Sequence, residues 1–309
     1  MNSPGPVAAI DCGTNSTRLL VVDPQGRPLE RLMRITRLGE GVDATGQLSS
    51  EAIGRCVAVL REFREVSTRL GVVRSRMAAT SAARDAANGS VFLAAAAEAT
   101  GVTPELLTGK EEGSLSMAGA VADLDPRDGP FLVLDIGGGS TELVAGSGPG
   151  DPDIDVVSLQ MGCVRLSERY LFSDPPLPEE LAAAEAMVAE MLESAIDAHP
   201  RFSDPHRLVG LAGTVTTLSS LAQGLETYDR DRVHHSVLTR DQVSSWYRTL
   251  ASEDRAARLA RTGMVKGRED IIVGGAMILS LVMERLKLEE CLVSEADILD
   301  GLAASLLTG

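Results

Sequence analysis

The sequence predicts an α/β protein that contains a duplicated domain, and two observations lead to this prediction. The segment DCGTNSTRLLV from Asp11 aligns without gaps with DIGGGSTELVA from Asp135, 124 residues further along the chain. Apolar, strand-like runs also alternate with segments of helical periodicity. Because both copies of the repeat are apolar strands that end in Asp before a turn of small residues, they indicate two α/β units.

The elements of the first copy follow in order. The apolar runs Val7–Asp11 and Arg18–Asp23 flank a turn of small residues, which predicts a β-hairpin. Apolar residues at helical spacing predict a long amphipathic helix from about Ser50 to Gly71. The later elements are a strand over 75–79, a turn that holds Arg84, an alanine-rich helix ended by Gly101, a short strand at 106–107 and a loop at 109–113 that opens a helix.

A polar, turn-rich segment, Asp123–Pro130, predicts the domain boundary, with domain I over 1–124 and domain II over 125–296. After it the opening pattern returns as Phe131–Asp135, a glycine turn and ELVAG. Pro178 suits the first turn of a helix that ends before Pro200. The remaining predicted elements are a strand over 208–213 that runs into a helix, a buried helix over 271–283, a strand over 291–294 and a final helix over about 297–309.

Composition and net charge exclude several classes of protein. The 309 residues include 29 Lys and Arg against 44 Asp and Glu, a net charge of −15, and 44% are hydrophobic. A core of this size excludes wholesale disorder, and the acidic balance argues against a duplex nucleic-acid partner, which needs a clustered basic face. No secretory signal is expected at the N-terminus, and the apolar run Ile271–Met283 is too short to span a membrane. We therefore expect a soluble cytoplasmic protein that does not bind a membrane.

Cysteine and histidine give little support for a metal centre. The four cysteines are scattered without a CxxC pair, so we expect buried thiols in a reducing compartment. His234 and His235 are expected to be structural or exposed rather than ligands.

The two matched turns are candidate phosphate sites, because small residues let successive backbone N–H groups approach an oxyanion. The candidate phosphate-binding residues are Gly13, Thr14, Asn15 and Ser16 in the first turn and Gly137, Gly138, Gly139, Ser140 and Thr141 in the second. Asp11, Asp135 and Glu142 would repel phosphate directly, but they are suitable ligands for Mg²⁺ bound between protein and phosphates. Ordinary turn capping is the alternative for both aspartates, and the duplication favours the metal role.

Further motifs in a fixed order extend the pattern and resemble a known family. They are DCGTNSTRLL from Asp11, ATSAARDAANG from Ala79, TGKEEG from Thr108, DIGGGSTE from Asp135, AGTVTTL from Ala212, GREDIIVGGAMIL from Gly267 and VSEADILDGL from Val293. The set is similar to the exopolyphosphatase/guanosine pentaphosphate phosphohydrolase family of the actin-like superfamily, over nearly the whole chain.

The resemblance implies duplicated actin-like (ribonuclease H-like) domains. Each would be a mixed five-stranded sheet flanked by helices, with an interdomain cleft and the last helix packed back onto domain I. It also implies a homodimer and Mg²⁺-dependent removal of a terminal phosphate by water, with Mn²⁺ as a substitute metal.

Site residues carry over by position. The second glutamate of GKEEG, Glu112, is implied to be the general base that activates water, while Glu111 is expected to support the helix N-terminus. A favourable interaction with the helix dipole is the alternative for both acids. Arg18 and Arg84 are candidates to neutralise phosphate oxygens, with surface salt bridges as the alternative.

Four further residues are expected at the same phosphate site, although the motifs that contain them are less specific. Arg268 and Lys266 are expected near the cleft floor, and Gly213 and Thr214 either approach further phosphates or a nucleotide or form a strand–helix turn. The chain departs from the family pattern at Cys12, at Gly113 and at Glu269, whose acid could alter the preference for Mg²⁺ or substrate.

The predicted function is an exopolyphosphatase, a phosphoric anhydride hydrolase that releases terminal orthophosphate from inorganic polyphosphate. The net charge and the lack of the extra helical domains of longer family members predict a preference for short chains. Removal of the 5′ γ-phosphate of pppGpp is the nearest alternative. A kinase of the same superfamily would leave GKEEG unexplained, and a non-catalytic regulator that binds ppGpp or another nucleotide is a remoter alternative.

Overall fold

A computed structural model of the chain describes residues 5–148, 151, 153–203 and 207–308. The strands are β1 Val7–Cys12, β2 Ser16–Val22, β3 Pro28–Ile35, β4 Arg74–Ala79, β5 Pro104–Leu106, β6 Phe131–Ile136, β7 Thr141–Gly146, β8 Asp155–Leu159, β9 Arg207–Leu211, β10 Val237–Thr239 and β11 Glu290–Val293. The α-helices are α1 Val42–Thr45, α2 Ser50–Arg69, α3 Ser81–Asp85, α4 Gly89–Thr100, α5 Gly109–Ala120, α6 Cys163–Tyr170, α7 Pro178–Ala198, α8 Ala212–Gln223, α9 Arg230–Val233, α10 Arg240–Ala251, α11 Arg255–Leu259, α12 Ile272–Arg285 and α13 Ile298–Thr308.

The chain divides into two compact units. Unit 1 comprises Met1–Gly119 together with Ile298–Gly309, and unit 2 comprises Ala120–Asp297. The chain therefore passes between the units twice, once after α5 and once before α13.

Unit 1 is built on a mixed five-stranded sheet in the order β3-β2-β1-β4-β5. The central strand β1 pairs antiparallel with β2 and parallel with β4. Side chains alternate between the faces of a strand, so Ala8 and Ile10 pack with Phe63 of α2 on one face. Val7 and Ala9 pack on the other face with residues of α13 such as Leu302. Burial on both faces explains why β1 is a continuous apolar run.

Unit 2 is built on a mixed six-stranded sheet in the order β10-β11-β9-β6-β7-β8. Its central strand β6 repeats the pairing of β1, antiparallel with β7 and parallel with β9. Helix α12 is buried over most of its length in the core of this unit, which confirms the buried helix predicted from its apolar sequence. The two units thus share a hairpin followed by a parallel strand, as the repeat predicts.

The second sheet has six strands rather than the predicted five, because β10 adds a three-residue edge strand against β11. The strands β3 and β8 at the outer edges of the hairpins were also not predicted, since neither is an apolar run. Arg84 lies in the short helix α3 rather than in a turn, and β5 spans 104–106 rather than 106–107. Edge strands bury little surface, so their sequences carry a weak hydrophobic signal.

All four cysteines are free and buried, as predicted. Among the described residues, no helix combines the length and the apolar character that a membrane span requires.

Candidate active site

The first turn, between β1 and β2, is closed by its own backbone. The Gly13 N–H donates to the Ser16 carbonyl at 3.0 Å, and the Gly39 N–H donates to the Thr14 carbonyl at 2.9 Å. Thr14 and Asn15 are buried, and Asn15 Nδ2 has no hydrogen-bond partner among the described residues. A buried amide donor that its own unit does not satisfy is suited to an oxygen acceptor of a ligand.

Asp11 and Arg18 form an ion pair across the mouth of this turn. The two residues are direct cross-strand partners, and both Nε and Nη2 of Arg18 donate to Asp11 Oδ2, at 3.1 and 2.8 Å. The Asp11 carboxylate is buried, whereas a fifth of the Arg18 side chain is exposed. Asp11 therefore orients a guanidinium, and the metal role predicted for Asp11 stays a prediction.

The second turn, 137–139, is held by the N-terminus of α6. The Cys163 N–H donates to the Gly137 carbonyl at 3.0 Å, the Val164 N–H to the Gly138 carbonyl at 2.9 Å, and Arg165 Nε to the Gly139 carbonyl at 2.8 Å. A Cβ on Gly162 would lie 2.2 Å from the Gly138 oxygen, so only glycine allows this approach. Because C=O and N–H of a trans peptide point in opposite directions, the N–H groups of residues 138–140 face away from α6. This turn is therefore a suitable oxyanion nest.

Three side chains that carry oxygen atoms lie in a row across the sheet, next to the second turn. Asp135, Glu142 and Ser158 are direct partners on β6, β7 and β8, so their side chains share one face. Asp135 is 8% exposed and Glu142 is fully buried, and Ser158 Oγ donates to Glu142 Oε1 at 2.7 Å. Two buried carboxylates of like charge, side by side, are suited to a hard divalent cation. The repeat places Glu142 of unit 2 where unit 1 has Arg18.

Glu112 lies in the first turn of α5, where it contacts Arg84. Arg84 Nη1 donates to Glu112 Oε2 at 3.3 Å and to the Leu107 carbonyl at 2.8 Å. About 12% of the Glu112 side chain and 22% of the Arg84 side chain are exposed, so both groups reach solvent. Arg84 Nη2 has no hydrogen-bond partner among the described residues. The pair thus combines an accessible carboxylate with a guanidinium that retains a free donor.

Glu111, the neighbouring acid, has a different environment. Its Oε2 accepts from the backbone N–H of Thr108 at 2.8 Å and from Thr108 Oγ1 at 2.7 Å. These hydrogen bonds lower the pKa of the exposed Glu111 carboxyl. Glu111 therefore caps the start of α5, whereas Glu112 is the acid that contacts Arg84.

The AGT motif lies where β9 runs into α8. Ala212 has a φ of +66°, and a Cβ on Gly213 would lie 1.7 Å from Arg268 Nη1. The guanidinium of Arg268 thus packs against the Gly213 backbone, and Arg268 and Thr214 are both buried. Positive φ at a residue other than glycine is characteristic of functional sites.

The remaining positions that the sequence singles out are Lys266, Glu269, Cys12, His234 and His235. Lys266 is exposed, and Glu269 Oε2 accepts from the Gly267 N–H at 2.6 Å. Cys12 is buried in the unit 1 core, where a hydrogen bond with Cys56 and burial raise the pKa of the thiol. His234 and His235 form contacts that are described below. Ser158 has no signal in the sequence, because only strand register places it beside Glu142.

Within unit 1 the structure thus brings together Asp11 with Arg18 and Arg84 with Glu112. Within unit 2 it brings together Asp135 with Glu142 and Gly213 with Arg268. Each of the two units thus carries a hairpin turn of small residues after a buried first strand, with charged side chains on the strands beside it. This is the duplicated α/β architecture that the repeat predicts.

The chain belongs to the Ppx/GppA phosphatase family, whose pattern it matches over residues 21–308. It is 43% identical over 316 aligned residues to Exopolyphosphatase 2 of Mycobacterium tuberculosis, covering 97% of this chain and 98% of that protein.

Solved structures of similar proteins support the same family assignment. An exopolyphosphatase-like protein superposes with a TM-score of 0.91 at 34% identity, covering 98% of this chain and 99% of that chain. The Aquifex aeolicus Ppx/GppA family member superposes with a TM-score of 0.79 at 30% identity, covering 98% of both chains.

Proposed function

We propose that this protein is an exopolyphosphatase, which hydrolyses the terminal phosphoanhydride bond of inorganic polyphosphate and releases orthophosphate. The observation that carries the proposal is the contact between Glu112 and Arg84 in a chain that is 43% identical to Exopolyphosphatase 2. A carboxylate base next to a phosphate-neutralising guanidinium is what attack by water on a terminal phosphate requires.

Each group has a distinct part in this reaction. Glu112 orients a water molecule and accepts its proton during in-line attack on the terminal phosphorus. Arg84 and Arg18 neutralise phosphate oxygens, and the pairing of Arg18 with Asp11 fixes the direction of its guanidinium. The N–H groups of the turn 138–140 hold further oxygens of the chain.

Asp135 and Glu142 would hold Mg²⁺, because they supply two buried, adjacent carboxylates and the ligands that this ion prefers. When bound, the ion neutralises charge on the phosphate oxygens and on the leaving group. Mn²⁺ accepts the same oxygen ligands and is the expected substitute.

Hydrolysis of pppGpp is not favoured, because a relative that matches 97% of the chain at 43% identity is named for polyphosphate. A cytoplasmic location, expected from the sequence, and a homodimer, implied by the resemblance, stay part of the proposal.

Phosphate release from short polyphosphate, long polyphosphate and pppGpp, each with and without Mg²⁺, tests the proposed function. We expect Mg²⁺-dependent release from polyphosphate. Release from pppGpp alone would contradict the proposed substrate, and tight binding of any of the three without release would contradict an enzymatic role.

A further inference from the structure

The chain joins the two units through two segments of unit 2. The first connecting segment, 120–124, begins at the last residue of α5, and the second connecting segment, 293–297, runs from the last residue of β11 to the residue before α13. Both segments lie next to the paired histidines that follow α9.

One imidazole touches both segments. His234 Nδ1 accepts the backbone N–H of Glu295, in the second connecting segment, at 3.1 Å. His234 Nε2 lies 3.3 Å from Oδ2 of Asp123, in the first connecting segment. A single side chain therefore bridges the two places where the chain passes between the units.

These contacts fix the tautomer of His234. A neutral imidazole has one N–H and one acceptor nitrogen. Because Nδ1 accepts from Glu295, the proton is on Nε2, which donates to Asp123. Asp123, His234 and His235 do bring three potential metal ligands within 4.8 Å of one another. In this tautomer, however, His234 Nε2 has no lone pair for a metal, so the cluster is suited to hydrogen bonding rather than to metal coordination.

His235 supports the same arrangement through its backbone. It has a φ of +60°, and its N–H donates to the Val293 carbonyl at 2.7 Å. Its ring lies against that of His234, tilted by 31° with the centroids 3.8 Å apart, and its Nε2 lies 3.6 Å from Asp123 Oδ1. A residue other than glycine keeps this conformation only where its surroundings enforce it.

We propose that neutral His234 is a positioning residue, which clasps the two connecting segments and thereby fixes the C-terminal end of α5, the helix that carries Glu112. Asp123 follows the last residue of α5 by three positions, so its contact with His234 holds the chain where it leaves that helix. The effect on catalysis rests on the proposed function, whereas the clasp itself does not.

Protonation is expected to open the clasp, because an imidazolium has no acceptor for the Glu295 N–H. The charged and titratable groups that face His234 are His235, Arg230 and Asp123, and Glu295 pairs with Arg230 and accepts from Tyr228. Burial, His235 and Arg230 lower the pKa of His234, while Asp123 opposes this shift. The stabilisation by neutral His234 is therefore complete above its ordinary pKa and is lost as the pH falls through the lowered value.

Amide hydrogen exchange tests the clasp without reference to activity. In His234→Gln the side-chain amide can still donate to Asp123, but it offers no acceptor at the Nδ1 position. We expect exchange in the second connecting segment to accelerate about tenfold at pH 7.5, the effect of losing one hydrogen bond. Asp123→Ala, at a half-exposed position, should instead accelerate exchange in the first connecting segment. The matched control is His199→Gln, the same substitution at a histidine whose described side-chain partners are Asp155 and Phe202. It should leave exchange in both segments unchanged.

The same variants show whether the clasp matters for catalysis. We expect His234→Gln to lower kcat for polyphosphate with KM unchanged, and to abolish the acidic limb of the pH profile that wild type owes to His234.

Unchanged exchange in both His234→Gln and Asp123→Ala would overturn the clasp. Faster exchange with unaltered kcat would overturn the positioning role. Zn²⁺ binding by wild type that is lost equally in His234→Gln and His235→Asn would show a metal site instead. An inactive wild type would remove the proposed function, while the exchange rates would still decide the clasp.

Discussion

Asp11 and Asp135 occupy the same place in the repeat, but their cross-strand partners carry opposite charges. Asp11 faces Arg18 and forms an ion pair, whereas Asp135 faces the buried Glu142. A carboxylate next to a guanidinium orients that cation, and a carboxylate next to another carboxylate favours an added cation. We infer that the two matched turns have different tasks, with cation binding concentrated in unit 2.

Substitution of these acids separates the two tasks. Glu142→Gln should weaken Mg²⁺ binding about 10- to 100-fold, because it removes one charged ligand of the site. Asp11→Asn should leave Mg²⁺ affinity within about twofold and instead raise KM, because Arg18 loses its charged partner. Calorimetric titration with Mg²⁺ and steady-state kinetics measure both effects. An equal loss of Mg²⁺ affinity in Asp11→Asn would restore Asp11 as a metal ligand.

At the scale of elements, the hairpins and the buried helix α12 could be predicted, because both are long apolar patterns between turn signals. The contacts of the site could not. Ser158 reaches Glu142 only through the register of β7 and β8, and α3 is too short to have a periodicity. The support of the second turn by α6 also depends on a tertiary approach at Gly162, which looks like any other loop glycine in the sequence.

Glycine-to-alanine substitutions measure how much the close contact between Gly162 and the second turn contributes to stability. Gly162→Ala should lower the free energy of unfolding by about 2 kcal/mol, because its Cβ would lie 2.2 Å from a backbone oxygen that cannot easily move. The matched control is Gly54→Ala in α2, where a Cβ meets nothing within 4 Å. It should raise the free energy of unfolding by about 0.5–1 kcal/mol. Urea denaturation measures both, and a neutral Gly162→Ala would contradict the tight packing of α6 against the turn.

At the scale of the whole molecule, the ordered motifs predicted the family, and the match over residues 21–308 confirms it. The repeat aligns Arg18 with Glu142 in the sequence, but only the strand register shows that each lies directly opposite its aspartate. The net charge of −15 also belongs to this scale, since it repels the distal part of a long polyanion.

We therefore predict that kcat/KM falls as polyphosphate lengthens. Added monovalent salt should reduce the difference, because it screens the repulsion between the protein and the distal phosphates. Initial rates on polyphosphates of defined length, at two ionic strengths, measure this. A kcat/KM that rises with chain length at both ionic strengths would contradict the prediction.

Activation of the attacking water by Glu112 is tested by comparing Glu112→Gln with Glu111→Gln. The two substitutions make the same chemical change at neighbouring positions of α5, but only Glu112 contacts Arg84. We expect kcat for phosphate release from polyphosphate to fall by about 10²–10⁴ in Glu112→Gln and by less than about tenfold in Glu111→Gln. Equal losses in both variants, or an active Glu112→Gln, would contradict the account.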